Sequence, residues 1–202
     1  MYLKKPPYLY RKLLSRAMFK ADSAKVFLTF DDGPDPEVTP LVLDVLKKEK
    51  VSATFFVLGE NAEKHPDILD RMRFEGHEIA NHGYAHLDGW KVDEEAFIDN
   101  VERGGRVSGS NVFRPPYGRI WPGLMNLISD YKVIMWDVLS GDFDTSITGK
   151  EVASNVLKNI KPGSIVVMHD SQKAKENVLG SLQSIIEGAR QKGISFGKIS
   201  DP

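Results

Sequence analysis

The chain has no cysteine among its 202 residues. That excludes disulfides, thiolate metal sites and cysteine nucleophiles, and it places the protein in no particular compartment. The fold must come from packing alone, and a chain of this length can bury the core of one domain. No apolar run is long enough to span a membrane. No stretch of seven or more apolar residues follows the basic start, as a secretory signal would require. On these absences alone a cytoplasmic location is the default. Net charge is −1, so there is no domain-wide positive field and nucleic acid is not an expected partner. Repeats and low-complexity tracts are absent as well.

What charge there is sits unevenly. The first twenty residues hold six basic side chains (Lys4, Lys5, Arg11, Lys12, Arg16, Lys20) and no acid, leaving 21 basic against 28 acidic residues in the rest. After Pro6 and Pro7, the residues Tyr10, Leu13, Leu14, Ala17 and Met18 recur with helical spacing. A basic amphipathic helix can lie on an anionic membrane. The expectation adopted is the plainer one: residues 1–23 form a basic extension, helical and packed on the end of a domain spanning 24–202.

From residue 25 onward a short apolar strand, a polar turn and an amphipathic helix alternate. KVFLTF at 25–30, SATFFVL at 52–58, residues 77–81, 112–113, KVIMWD at 132–137, SIVVMH at 164–169 and residues 194–196 read as strands. Helices are expected over 41–50, 61–75, 93–107, 150–159 and 177–192. Such alternation implies parallel strands with crossover helices outside. The polar clusters all fall just after strand ends, where the loops of a βα barrel converge on one face. The predicted fold is therefore α/β, a distorted (β/α) barrel of about seven parallel strands, TIM-barrel-like.

Those strand ends carry the ionisable groups: Asp31 and Asp32, then His82 and His86, then Arg114, Asp142 and His169. Two histidines four apart, as in His82-Gly-Tyr-Ala-His86, can turn to one side and share one ion. A carboxylate from another strand would complete three ligands and leave a position open for water, the arrangement of a catalytic site. Asp31 and Asp32 sit side by side on what reads as extended backbone, so their side chains should diverge. One can then bind metal while the other acts as a general base. His65 and His77 carry no such pattern and are expected to be ordinary surface or hydrogen-bonded residues.

Five stretches then stand in order: Thr29-Phe30-Asp31-Asp32-Gly33, His82-Gly83-Tyr84-Ala85-His86, Arg114-Pro115-Pro116-Tyr117-Gly118, Asp142-Phe143 and Val167-Met168-His169. Together they resemble the five motifs of the polysaccharide deacetylases of carbohydrate esterase family 4, the NodB-homology domain, over roughly residues 24–197. The resemblance implies a hydrolase that removes N-acetyl groups from an amino-sugar glycan of the peptidoglycan or chitin kind, a substrate that points to the cell envelope. It implies a Zn2+-type site of Asp32, His82 and His86, although such a set also accepts Co2+, Ni2+, Fe2+ or Mn2+. Asp31 matches the family's base, Arg114 the residue orienting it, and Tyr117 the backbone N–H donor to the oxyanion. His169 matches the acid and Asp142 the carboxylate that orients and charges it.

Three positions depart from the family pattern. Gly83 stands where Ser or Thr is usual, which predicts the loss of a hydroxyl bracing the metal loop. Phe143 stands where Trp is usual and Val167 where Leu is usual, both expected at the acyl pocket. Trp90, Tyr117, Trp121 and Trp136 are candidates for stacking on sugar rings. Two other readings stand beside the deacetylase: a catalytically silent glycan-binding domain, and a hydrolase of another non-peptide C–N bond. A binding domain has no need of Asp31 or His169.

Overall fold

The structure, a computed structural model, describes residues 6–201, so Lys4 and Lys5 lie outside the described residues. Its strands are β1 (Val26–Asp31), β2 (Thr54–Val57), β3 (Glu78–Asn81), β4 (Val112–Phe113), β5 (Lys132–Val133), β6 (Val138–Leu139), β7 (Ile165–His169) and β8 (Phe196–Gly197). Its helices are α1 (Tyr8–Leu13), α2 (Val38–Lys48), α3 (Gly59–Lys64), α4 (Pro66–Phe74), α5 (Glu94–Ser108), α6 (Pro122–Leu127), α7 (Gly149–Asn159) and α8 (Lys175–Gln191). None of the described helices is long and apolar enough to cross a membrane.

Seven strands form one parallel sheet in the order β5-β4-β3-β2-β1-β7-β6, and β8 pairs with the start of β1. The edge strands β5 and β6 are consecutive in the chain, so residues 134–137 join the two ends of a curled half-barrel. The amino-terminal segment crosses the same opening. Met18 bridges to Ile134 and Lys20 to Ser164, with Met135 N–H donating to the Met18 carbonyl at 2.7 Å.

Of the strand predicted over 132–137 only Lys132–Val133 forms one, β5; the next strand, β6, begins beyond it at Val138. Between the two strands, Arg114 Nε and Nη2 take the carbonyls of Ile134 and Met135 at 3.4 and 3.2 Å. The N–H groups of the same two residues bond to the Phe113 and Met18 carbonyls at 2.8 and 2.7 Å, and the chain reaches β7 at Asp137, whose N–H bonds to the Ile165 carbonyl at 3.3 Å. The helix expected over 61–75 divides at Pro66, which lacks an N–H and pushes His65 to φ −132. The amino-terminal helix ends at Leu13 rather than continuing to Met18, because the backbone around Met18 is taken up in pairing with residues 133–135. Helix α6 had no sequence signal beyond Pro122 at its first position.

Alternation along the strands decides what faces where. Val26, Leu28 and Phe30 of β1 join the large core beneath α2, α4, α7 and α8. Phe27 faces inward with Phe56, Ala80, Ile134 and Ile165. Asp31 shares the parity of Phe27 and Thr29, His169 that of Ile165, and His82 that of Ala80. The interior face therefore changes from apolar to ionisable towards the carboxyl ends of the strands. A third cluster packs Leu14, Ala17 and Phe19 of the amino-terminal segment against Ile120, Leu124 and Met125. The outer side of α1 leaves Tyr8, Leu9 and Leu13 exposed.

Candidate active site

Asp31 closes β1 as its last residue, and the chain turns immediately: Asp32 has φ 79. The divergence of the two carboxylates comes from this left-handed turn, not from extended backbone as the sequence implied. Asp32 Oδ1 lies 3.6 Å from His82 Nε2 and 3.3 Å from His86 Nε2. Ligands about 2.0–2.1 Å from a tetrahedral ion stand roughly 3.4 Å apart, so these atoms are spaced as a cation would need. Among the described residues this is the group of His and acidic side chains that could hold an ion.

The chemistry of the donors fits too. His82 Nδ1 lies 2.8 Å from the Arg114 carbonyl, which can only accept. Nδ1 therefore carries the proton and Nε2 offers its lone pair towards Asp32. Burial lowers the His82 pKa and keeps the ring neutral, against the pull of Asp31 and Asp32. Burial works against ionisation of Asp32, but the hydrogen bond with His86 and the surrounding histidines hold its carboxyl well below the usual range.

Asp31 faces a different partner. Arg114, wholly buried, donates from Nη1 to Asp31 Oδ1 at 2.6 Å and to Thr29 Oγ1 at 2.7 Å. Its guanidinium also lies 4.0 Å from the centre of the Phe56 ring. Every guanidinium nitrogen is engaged by a carboxylate, hydroxyl or carbonyl, which is what makes a buried arginine tolerable. The carboxylate is thereby fixed at the strand end.

Across β1 the register places His169 of β7 beside Asp31. His169 is held twice by Asp142, which accepts its backbone N–H at 2.7 Å and meets Nδ1 at 2.8 Å. Burial alone would lower the His169 pKa, but the charge and hydrogen bond of Asp142, with Asp32 and Asp31 beyond, raise it to about 9. Asp142 is itself buried and anchored, its N–H donating to Ser140 Oγ at 3.2 Å and its carbonyl accepting from Asn177 at 3.0 Å. Phe143 sets its ring edge-on to His169, 5.3 Å between centroids.

The loop of the third motif rises beside the histidines. Tyr117 has φ 58 and ψ 4, a left-handed conformation that costs a residue with a Cβ about 1–3 kcal/mol unless its surroundings hold it. Its ring is 59% exposed and meets His86 edge-on at 4.4 Å. Arg119 stands 5.4 Å from that ring and 5.2 Å from Trp90, which is 54% exposed, and is ion-paired to Asp88. Trp121 and Trp136 are half-buried against the core clusters.

The family model for polysaccharide deacetylases matches residues 20–135, more than half of the chain. The chain belongs to the polysaccharide deacetylase family. A peptidoglycan-N-acetylglucosamine deacetylase of Bacillus cereus is 38% identical over 184 residues, 87% of this chain. The matched part spans 66% of that relative. A chitooligosaccharide deacetylase of Bradyrhizobium sp. is 38% identical over 155 residues, 72% of this chain and 70% of the relative. The crystal structure of the Bc1960 peptidoglycan N-acetylglucosamine deacetylase superposes with a TM-score of 0.84 at 36% identity. That match covers 91% of this chain and 90% of the other.

Within this polysaccharide deacetylase domain, one expectation from the sequence is corrected. Gly83 does not leave the loop between His82 and His86 unbraced. Asn100 of α5 accepts the Ala85 N–H at 2.7 Å and donates to the Ala85 carbonyl at 3.0 Å. Asn81 accepts the Gly83 N–H at 2.7 Å, and Gly83 itself has φ 88. Neither asparagine was singled out from sequence, where a lone Asn carries no motif. Asp170 was missed for the same reason. It is buried beside His169 and accepts from Thr39 at 2.6 Å, and among the described residues its Oδ1 has no hydrogen-bond partner. Burial, opposed by the Thr39 bond and reinforced by Asp32 and Asp31, raises its pKa to about 7. His77 is the ordinary residue expected, buried against Phe55 and accepting the Ala53 N–H.

Proposed function

We propose that the chain is a metal-dependent N-deacetylase of amino-sugar glycans, with Asp31 as general base and His169 as general acid. One observation carries the reading. Asp31 and His169 are register partners at the ends of adjacent strands, each tied to its own buried counter-charge, and the Asp32–His82–His86 group stands beside them. Amide hydrolysis asks for this pairing, because water must lose a proton while the departing amine, a poor leaving group, must gain one.

Asp32, His82 and His86 would hold a divalent cation, Zn2+ by preference, with Co2+, Ni2+, Fe2+ or Mn2+ as the other candidates. When bound, such an ion polarises the acetamide carbonyl and makes water a stronger acid. The Asp31 carboxylate, kept in place by Arg114, receives the proton from the attacking water. The Tyr117 backbone N–H supports the negative charge that gathers on the carbonyl oxygen. His169, kept cationic by Asp142, gives its proton to the nitrogen as the C–N bond breaks. A silent binding domain would have no use for a protonated histidine opposite a buried aspartate.

The two relatives named above act on peptidoglycan N-acetylglucosamine and on chitooligosaccharides, so a glycan containing N-acetylglucosamine is the proposed substrate. The exposed rings of Trp90 and Tyr117 offer faces for a sugar ring beside the metal group. Peptidoglycan lies in the cell wall, which supports a site of action at the cell envelope. The test is acetate release by one purified, metal-loaded preparation from chitooligosaccharides, peptidoglycan and small amides. Release from the glycans and not from the small amides supports the reading; no release from any glycan sinks it.

A further inference from the structure

The loop over residues 114–120 is held from outside the stretch that the family model matches. Tyr10 of α1 donates its hydroxyl to the Gly118 carbonyl at 2.5 Å, and the Ile120 carbonyl lies 3.2 Å from the same oxygen. These contacts join residues 108 and 110 positions apart. The segment they grip runs through two consecutive left-handed residues, Tyr117 with φ 58 and Gly118 with φ 63. Inside the loop, Gly118 N–H bonds to the Pro115 carbonyl at 2.9 Å and Arg119 N–H to that of Pro116 at 3.1 Å.

Two outer supports complete the hold. On one flank Arg119 is ion-paired to Asp88. On the other stands the amino-terminal segment, where Leu14, Ala17 and Phe19 pack in one cluster with Ile120, Leu124 and Met125. Tyr10 is half-buried, and burial raises its pKa against the Ile120 contact and the charge of Arg119, so the hydroxyl remains a donor at neutral pH.

We propose that Tyr10 is a positioning residue for this loop: its hydroxyl fixes the backbone at Gly118, and so the place of the Tyr117 N–H and ring beside His86. The proposal rests on the reading of the site given above. Tyr10 touches no reacting atom. Its effect passes through a backbone whose N–H must stand about 2.7–3.1 Å from the developing oxyanion, where a shift of a fraction of an ångström already weakens the bond. The segment ahead of the family match is then part of the catalytic apparatus as well as a cover for the core.

The experiment compares the full-length parent with Tyr10→Phe, which keeps the ring and removes only the hydroxyl. Zn2+ content, kinetics on chitooligosaccharides and amide exchange at individual residues are measured on both. The expected result is a kcat lower by about tenfold, with KM within about twofold and Zn2+ content unchanged. Exchange at the Gly118 and Arg119 amides should quicken while the β2 amides keep their protection. A simple structural role would lower the melting temperature and leave kcat and the loop amides as they were. Unchanged exchange at Gly118 and Arg119, or an unchanged kcat in an active parent, overturns the proposal. Were the metal-loaded parent to release no acetate, the proposed function would fall, and the exchange result alone would decide the role of Tyr10.

Discussion

Asp142 grips His169 at two points, taking its backbone N–H at one carboxylate oxygen and its ring Nδ1 at the other. One side chain thus sets both where the imidazole stands and which protonation state it prefers. Burial disfavours the cation, and the Asp142 charge and bond overcome that and raise the pKa to about 9.

In the proposed role of general acid His169 must be protonated, so activity should hold at neutral pH and fall as pH rises through its pKa. A cation beside Asp32 offsets part of that carboxylate's pull, which puts the alkaline limb at or somewhat below 9. Asp142→Asn removes the strongest contribution raising that pKa. The limb of kcat/KM should then move to lower pH, and the plateau should drop by about tenfold or more. A limb that stays in place in Asp142→Asn would show that another group sets it.

Metal retention and catalysis should separate cleanly by residue. Asp32→Ala, His82→Ala and His86→Ala each remove one of the three grouped donors, so bound Zn2+ should weaken or vanish in elemental analysis. Asp31→Asn and His169→Ala should keep their metal and lose about a hundredfold or more in kcat. Retained Zn2+ in all three ligand variants would place the ion elsewhere.

Much of this arrangement was legible because strands alternate. The parity that sends Phe27 into the barrel also sends Asp31 there, and the same holds for Ile165 with His169. What stayed hidden depends on contacts between distant residues. Arg114 captures the carbonyls of Ile134 and Met135 within the expected 132–137 strand, and no local pattern announces that. Tyr10 reaches a loop 108 positions away, again without a local trace. The φ values of Asp32 and Gly83 are set by the loops that close around the donors, so the sequence showed the residues and not their backbone.

Asp170 gives a stability test that is independent of turnover. Its folded-state pKa, about 7, lies above the ordinary 3.8, so the fold favours the protonated carboxyl. The contribution is fully present below the unfolded value near 4 and is lost as pH rises through 7. Asn is neutral throughout, so Asp170→Asn should escape this loss. Urea midpoints of the metal-free parent and variant, compared at pH 5 and pH 8, should shift in the variant's favour at pH 8. An identical pH dependence in the two proteins would mean that Asp170 ionises normally in the fold.

Gly83→Ser decides between a lost brace and a backbone requirement. A serine would bring back the hydroxyl that related sequences usually carry there, and on that ground alone metal binding should tighten. The loop argues the opposite. Gly83 has φ 88, where a residue with a Cβ is strained, and a Cβ built there would lie 2.5 Å from Asn100 Nδ2 and 3.1 Å from the Ala85 carbonyl. Asn100 cannot yield without loosening its two bonds to Ala85, the residue next to His86. Bracing that a hydroxyl would add is already supplied by Asn81 and Asn100. Gly83→Ser should therefore hold Zn2+ less tightly, by about tenfold on the scale of supports to metal ligands. Competition against a chelator of known affinity measures it. Tighter retention in Gly83→Ser than in the parent would show that the loop relaxes around the new side chain and that the missing hydroxyl was the stronger effect.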